Sequence, residues 1–383
     1  MTVQTRPLET PSATNTETFN VGILGASGYG GSGLLRRLQR HPNTEVVGIA
    51  SRQYVGKPVT ACWPQFDPQE FAEDLLFANG DEVVDSCDVL FSAAPHGSVS
   101  DLVAKAVRAG KTVIDLAADF RLPASDYKQW YGHDLSHPDV YAQSVYGLVE
   151  LHREEIKGAS FVANPGCNAT AGALALLPLA AHGLLGKHTI TNIVTGISGA
   201  GRSASMGTHF GELNENVIPY KVAGTHRHTA EIELSLGRAR AFGKHAQTHT
   251  PSHAEVDRPV ISFSPHLVPM TRGILASCYT HPETDVLASG ERLTTENVLE
   301  LYHQFYQNDP LITVQEALPT TKATYGSDRV VISVRVDERS GHIVAFAAED
   351  NLGKGAAGQA VQNFNVMQGF DETLGLFTEA VYP

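Results

Sequence analysis

A glycine run set between an apolar strand and an amphipathic helix does most to restrict what this chain can become: "FNVGILGASGYGGSGLLRRLQRHPNTEVVGIASR", residues 19–52. Residues 19–24 read as a largely apolar strand, Leu34, Leu35 and Leu38 recur on one helical face, and 45–50 reads as a second strand. Two strands joined through a helix lie parallel, so this is a βαβ unit. "CDVLFSAAPHG", "SDLVAKAVRAG" and "KTVIDLAAD" continue the alternation. Residues 20–160 therefore predict an α/β domain built on a Rossmann-type, doubly wound parallel sheet.

The pattern then changes. After "NPGCNATAGALALLPLAA", an alanine-rich helix candidate, come "HTITNIVTGIS", "RPVISFSPHLVP", "RGILASCYTHPE", "RVVISVRVDE" and "GHIVAFAAED". The last two are joined by the short turn Arg339, Ser340, Gly341, which predicts a largely antiparallel sheet in an α+β second domain. A final helix candidate, 355–370, returns to pack on the first domain. The expected division is a disordered tail over 1–19, a dinucleotide-binding domain over 20–165 and 351–383, and a second domain over 166–350.

A chain of 383 residues has length for two such cores. No stretch approaches the ~20 apolar residues of a membrane span, and the first nineteen lack the apolar core of a signal peptide, so a cytoplasmic protein is expected. A net charge of −13 without a Lys/Arg cluster argues against nucleic acid as partner. Cys62, Cys87, Cys167 and Cys278 show neither CxxC nor Cys/His ligand spacing, so no disulfide framework and no metal site is expected. Any cysteine chemistry rests on a single thiol.

Gly25, Ser27, Gly28, Tyr29, Gly30 and Gly31 form the loop opening the βαβ unit, where free N–H groups at a helix start suit a pyrophosphate. The second strand ends in Ala50, Ser51, Arg52. No carboxylate there repels a 2′-phosphate, and Ser51 with Arg52 suits one, which favours NADP over NAD; a solvated surface arginine is the plainer alternative. Cys167 falls in the first turn of its helix, where the dipole and unpaired N–H groups stabilise a thiolate and an oxyanion. Position alone is equally compatible with a small apolar residue filling a domain junction. His226, Arg227 and His228 precede another helix candidate, and "GISGAGRSAS" (196–205) is a glycine-rich loop bearing Arg202. Two histidines so placed suit acid–base work; a metal would need a third ligand that the sequence does not offer.

"GASGYGG", "PHG", "ADFRL", "NPGC", "SGAGR", "HRHT", "PHLVPMTRGIL" and "DNLGKGAAGQAVQN", in that order from residue 25 to 363, together resemble the N-acetyl-γ-glutamyl-phosphate reductase family. That family stands with the aspartate-semialdehyde dehydrogenase type of NADP-dependent acyl-phosphate reductases. The resemblance implies NADPH-dependent reduction of a small acyl phosphate through a thioester on Cys167, in arginine biosynthesis. It makes His228 the acid/base, with His226 as substrate ligand or alternative base. Arg121, Asn164, Arg202 and Tyr220 become candidates for substrate contacts, and Pro95, Ser198, Gly199 and Asn351 for cofactor contacts. Residues 166–350 become a catalytic and dimerisation domain, implying a homodimer or homotetramer. Many relatives carry Cys-Tyr-Pro-Thr where this chain has Cys167-Asn168-Ala169-Thr170, a form similar to those of some arginine-pathway reductases and also of the reductases of carrier-linked α-aminoadipyl phosphate in lysine synthesis. That reaction and aspartyl-phosphate reduction are the enzymatic alternatives, while "GELNENVIPYKV" is more similar to the arginine enzymes. A protein that only senses NADP would need neither the histidine pair nor the Arg-bearing loop.

Overall fold

The computed structural model describes residues 17–67, 75–243 and 255–382. Most of the expected tail, residues 1–16, lies outside the described residues, and Phe19 already opens the first strand. Seven strands, β1 (Phe19–Leu24), β2 (Thr44–Ala50), β3 (Phe77–Ala78), β4 (Val89–Ser92), β5 (Thr112–Asp115), β6 (Val145–Tyr146) and β7 (Phe161–Ala163), form one sheet in the order β3-β2-β1-β4-β5-β7-β6. Every pairing in it is parallel. The chain winds outward from β1 in one direction and from β4 in the other, which leaves a crevice outside the carboxyl ends of those two strands. The glycine loop sits at that crevice.

The expected helical face is the buried one. Leu34, Leu35 and Leu38 of the helix Tyr29–Leu38 pack with Val21 and Ile23 of β1. Ala360, Val361 and Phe364 of the helix Gly358–Gln368 join the same cluster, so the C-terminal segment does return to the first sheet. That helix starts later than its pattern predicts. Gly353–Ala357 forms a single π-helical turn instead, pressed so close to Ser327 that a side chain on Gly353 would meet its carbonyl oxygen at 2.0 Å.

The second sheet contains β8 (Thr189–Thr195), β9 (Ile218–Pro219), β10 (Ile261–Leu267), β11 (Ile274–Thr280), β12 (Ile312–Val314), β13 (Val330–Asp337) and β14 (His342–Glu349), in the order β12-β13-β14-β11-β8-β10-β9. It is largely antiparallel, with β13 and β14 forming the expected hairpin. Two pairs are parallel, β8 with β10 and β12 with β13. The first follows from the long crossover between them, which carries the helix His228–Phe242 and leaves the two strands running the same way.

The helix Cys167–Ala181 joins the two halves. Residues 168–180 are all buried, as an all-round apolar helix must be. Leu174, Leu176 and Leu177 pack with Ile193, Ile232, Leu236 and Phe263. Pro178 lacks the N–H that would bond Leu174 O. The Tyr306 hydroxyl donates to that oxygen at 2.5 Å, and Tyr302 donates to Ala175 O at 2.6 Å.

Candidate active site

Cys167 begins its helix as the sequence predicts, with Gly166 as N-cap in an extended conformation. The first backbone bond there runs from Thr170 N–H to Gly166 O, which leaves the N–H groups of Cys167, Asn168 and Ala169 without intrahelical acceptors. The Asn168 N–H points at the sulfur. Cys167 is half-buried, whereas the other three cysteines are buried. Cys87 and Cys278 fill apolar clusters. Cys62 ends the one-turn helix Val59–Cys62 and takes a contact from Arg202.

His228 opens the helix that packs across the cysteine helix. A Cβ on Gly166 would lie 2.3 Å from His228 Nε2, so only glycine lets the imidazole rest on the backbone beside the cysteine. Glu231, three residues on and fully buried, ties the region together. It accepts from Arg121 Nη1 at 3.1 Å, Tyr146 Oη at 2.9 Å and the Gly166 N–H at 3.0 Å, with His228 Nε2 at 4.0 Å. His226 accepts the His228 backbone N–H on Nδ1 at 3.1 Å and packs edge-on to Tyr220, Phe263 and His228.

Two cavities meet here. The larger, about 1270 Å³, is lined by Gly25, Ser27, Gly28, Tyr29, Gly30, Ser51, Arg52, Pro95, Ser198, Gly199 and Asn351, and also by Arg121, Asn164 and Arg202. The smaller, about 390 Å³, is lined by Tyr131, Asn168, Thr195, Tyr220, Lys221, His226 and Arg227 among others. Cys167, His228, Gly199 and Ala200 line both. Of the expected loop residues only Gly31 stands off the larger cavity; it lies against Ala26, whose Cα a side chain there would meet at 2.4 Å.

The larger cavity fits a 2′-phosphorylated dinucleotide. Gly25 turns at φ +74°, where an added Cβ would strike the Ala94 backbone at 2.7 Å. The Ser27 and Ser51 hydroxyls are 2.8 Å apart, and Arg52 reaches Ser98 O at 2.9 Å across the mouth. Asn351 donates to Ser198 Oγ at 2.9 Å and accepts from the Gly273 N–H at 2.8 Å, which brings the returning segment to this wall. Arg202, expected to meet substrate, lines the larger cavity. It donates to Ser27 O at 3.0 Å and covers the Trp63 ring at 4.3 Å, so it bridges the second half of the chain to the glycine loop. Asn164 is fully buried and held by Asn363, which donates to its Oδ1 at 3.0 Å.

The smaller cavity carries two cations, Lys221 and Arg227, on its lining. Asn168 Oδ1, Thr195 Oγ1 and His228 Nδ1, all on its lining residues, are buried without a hydrogen-bond partner. Lys221 holds a left-handed backbone at φ 45°, a strained conformation for a residue with a side chain. Neither Lys221 nor Glu231 is singled out by the sequence reading. For Glu231 the signal is its place one helical turn beyond His228; for Lys221 it is the "PYKV" segment beside Tyr220.

The sulfur departs from expectation. Burial, then the Glu349 carboxyl nearby, push the Cys167 thiol up to about 12, against the Asn168 N–H that lowers it. A helix terminus stabilises an anion by only about 0.3–1 kcal/mol at an exposed site, less than burial removes. The resting group is a thiol. Burial, then the Arg121, Lys221 and Arg227 cations, bring His228 down to about 3, and burial followed by His228 brings His226 down to about 2. Both rings are neutral. Burial works against the Arg121 charge, but Glu231 more than offsets it and raises its value.

Residues 20–159 match the family description "semialdehyde dehydrogenase, NAD binding domain", and residues 167–351 match "semialdehyde dehydrogenase, dimerisation domain". N-acetyl-γ-glutamyl-phosphate reductase of Thermus thermophilus is 48% identical over 363 residues, 95% of this chain and 100% of that protein. The enzyme of that name from Bacillus subtilis is 40% identical over 370 residues, with the same coverage. Aspartate semialdehyde dehydrogenase with NADP from Candida albicans superposes with a TM-score of 0.65 at 18% identity, covering 92% of this chain and 99% of that one. That last likeness is one of fold.

Proposed function

We infer the chemistry of the two cavities from the premise that this chain belongs to the semialdehyde dehydrogenase family, in its N-acetyl-γ-glutamyl-phosphate reductase branch. The reaction is the NADPH-dependent reduction of N-acetyl-γ-glutamyl phosphate to N-acetylglutamate 5-semialdehyde and phosphate through a cysteine thioester, a step of arginine biosynthesis. The observation that carries the assignment of residues is that Cys167 and His228 line both the dinucleotide-sized cavity and the small cationic one.

In our reading Cys167 is the nucleophile and His228 the proton carrier. The neutral imidazole takes the thiol proton as sulfur attacks the acyl carbon, then passes it to the departing phosphate, leaving the thioester. The glycine loop, Ser51, Arg52 and Asn351 would hold NADPH, which when bound would supply the hydride that reduces the thioester. The free N–H groups at the helix start meet the oxyanion. As the carbonyl re-forms, the C–S bond breaks and sulfur receives a solvent-derived proton through His228. His226 orients His228 through its backbone N–H. Lys221 and Arg227 take the substrate's anionic groups, with Arg121 behind them, a role that moves Arg202 to the cofactor side. Cys167→Ser should abolish NADP⁺ reduction by the semialdehyde and phosphate in the reverse assay; turnover near the wild-type rate would remove this assignment.

We divide the chain into a dinucleotide-binding domain, 20–165 with 351–383, and a catalytic and dimerisation domain, 166–350. Alternate residues of β8, β10 and β11 are only partly buried or exposed, so among the described residues one face of the second sheet is incompletely covered. Val344, Tyr279, Ile190 and Ser262 lie side by side across it in register, with Ile190 42% exposed. We assign this face to pairing with a second copy, as a homodimer or a tetramer built from it. Among the described residues no helix is long and apolar enough to cross a membrane. Four free cysteines suit a reducing compartment, and we place the enzyme in the cytoplasm.

A further inference from the structure

Behind the nucleophile lies a carboxyl that this reaction scheme leaves unused. Glu349 ends β14 and is fully buried, and neither carboxyl oxygen has a hydrogen-bond partner. Its Oε1 and the Cys167 Cβ each come within 2.9 Å of the point where a side chain on Gly355 would begin. Gly355 has none, so the acid and the cysteine face each other across that glycine.

The surrounding charges are committed elsewhere. Lys354 donates to Glu150 at 2.6 Å and also to Gln362. Asp350 pairs with Arg272 at 3.0 Å and accepts the Gly326 and Leu352 N–H groups. Arg121 pairs with Glu231. In the sheet, the register partners of Glu349 are apolar, Ile274 and Val330. Among the described residues no donor hydrogen-bonds this carboxyl, and two neighbouring acids in a low-dielectric site resist carrying two negative charges.

We propose that Glu349 is a positioning residue for the nucleophile: its carboxyl and the Cys167 thiol form one coupled acid pair, and the thiolate forms only while Glu349 holds its proton. Burial, opposed in part by Lys354, holds the Glu349 carboxyl well above the usual carboxylate range, and Glu349 is in turn second only to burial in raising the thiol. One of the two acids ionises at a time: with Glu349 protonated the Cys167 proton passes to His228 in the attack, and with Glu349 ionised the sulfur stays a thiol. Only the proton moves; no bond between the two side chains forms.

The inference rests on Cys167 being the nucleophile, and its test separates the two ideas. The rate of Cys167 alkylation by iodoacetamide, read by mass spectrometry of its peptide from pH 6 to 11, is compared in the wild type and Glu349→Gln, which is uncharged at every pH. The expected result is a limb shifted about one pH unit lower in the variant, hence alkylation about tenfold faster at a given pH below it. Superimposable limbs in a folded, NADP-binding variant overturn the coupling while leaving the nucleophile intact; a Cys167 that never reacts in either protein overturns the nucleophile as well. The wild type supplies an independent reading if the variant does not fold. Capping Cys167 with iodoacetamide should lower the pH at which a buried protonated-carboxyl infrared band is lost, and a band titrating at the same pH before and after capping overturns the proposal.

Discussion

At the scale of single residues the site depends on atoms that are missing. Gly166 and Gly355 have no side chains, and His228 and Glu349 occupy the space on either side of the cysteine that this leaves. Gly166→Ala would therefore drive a methyl group into the His228 ring. Its kcat should fall by ~10²–10⁴, the usual contribution of a positioned acid–base group, with the far-ultraviolet circular dichroism unchanged. A wild-type kcat in Gly166→Ala would show that His228 carries no proton. The cysteine itself was legible, because a Pro-Gly turn before an alanine-rich run announces a helix start. Its protonation was not. Local reasoning sees the helix dipole, whereas the burial and the Glu349 carboxyl that outweigh it come from a strand 182 positions further along the chain, as 349 lies beyond 167. Glu231 and Lys221 escaped for the same reason, since their partners are set by the fold.

At the scale of elements, periodicity carried most of the architecture. The helix Tyr29–Leu38, the parallel strands around it and the hairpin of β13 and β14 follow from patterns of three-to-four and two residues. Pairing direction across a long crossover is not written in any such pattern, and the parallel match of β8 with β10 appears only once the His228 helix is placed between them. Pro178 was visible inside its helix, but its compensation was not. The carbonyl that proline frees is satisfied by Tyr306 from the helix Thr295–Tyr306, more than a hundred residues away. Tyr306→Phe should cost about 1–3 kcal/mol by leaving that buried oxygen unpaired. Adding Pro178→Ala, which restores a backbone donor, should shrink that cost. Equal losses from Tyr306→Phe in both backgrounds, measured by urea unfolding, would mean that the hydroxyl serves only to pack.

At the scale of the whole molecule, charge is buried at the seams between the two sheets. Arg37 of the first unit pairs with Asp328 just before β13, both within 1% of complete burial. Arg202 reaches back to the glycine loop, and neutral His228 lies where the two cavities join, with His226 on the smaller one. The histidines make stability depend on pH. His226 and His228 titrate at about 2 and about 3 in the folded chain, against ~6.5 for a free imidazole. Below pH ~6.5 the unfolded chain binds protons that the folded chain does not, so their contribution is complete above that pH and is lost as the pH falls toward 3. His226→Gln should flatten the decline of the melting temperature between pH 6.5 and 4, and parallel declines in variant and wild type would show that His226 protonates as easily folded as unfolded. The chemistry draws on the same seam, since sulfur, proton carrier and hydride must meet there. Mixing the enzyme with NADP⁺ and N-acetylglutamate 5-semialdehyde in the absence of phosphate tests that most directly. A burst of one NADPH per chain, with one N-acetylglutamyl group recovered on the Cys167 peptide, is the predicted result; no burst, or an acyl group on any other residue, would contradict the account.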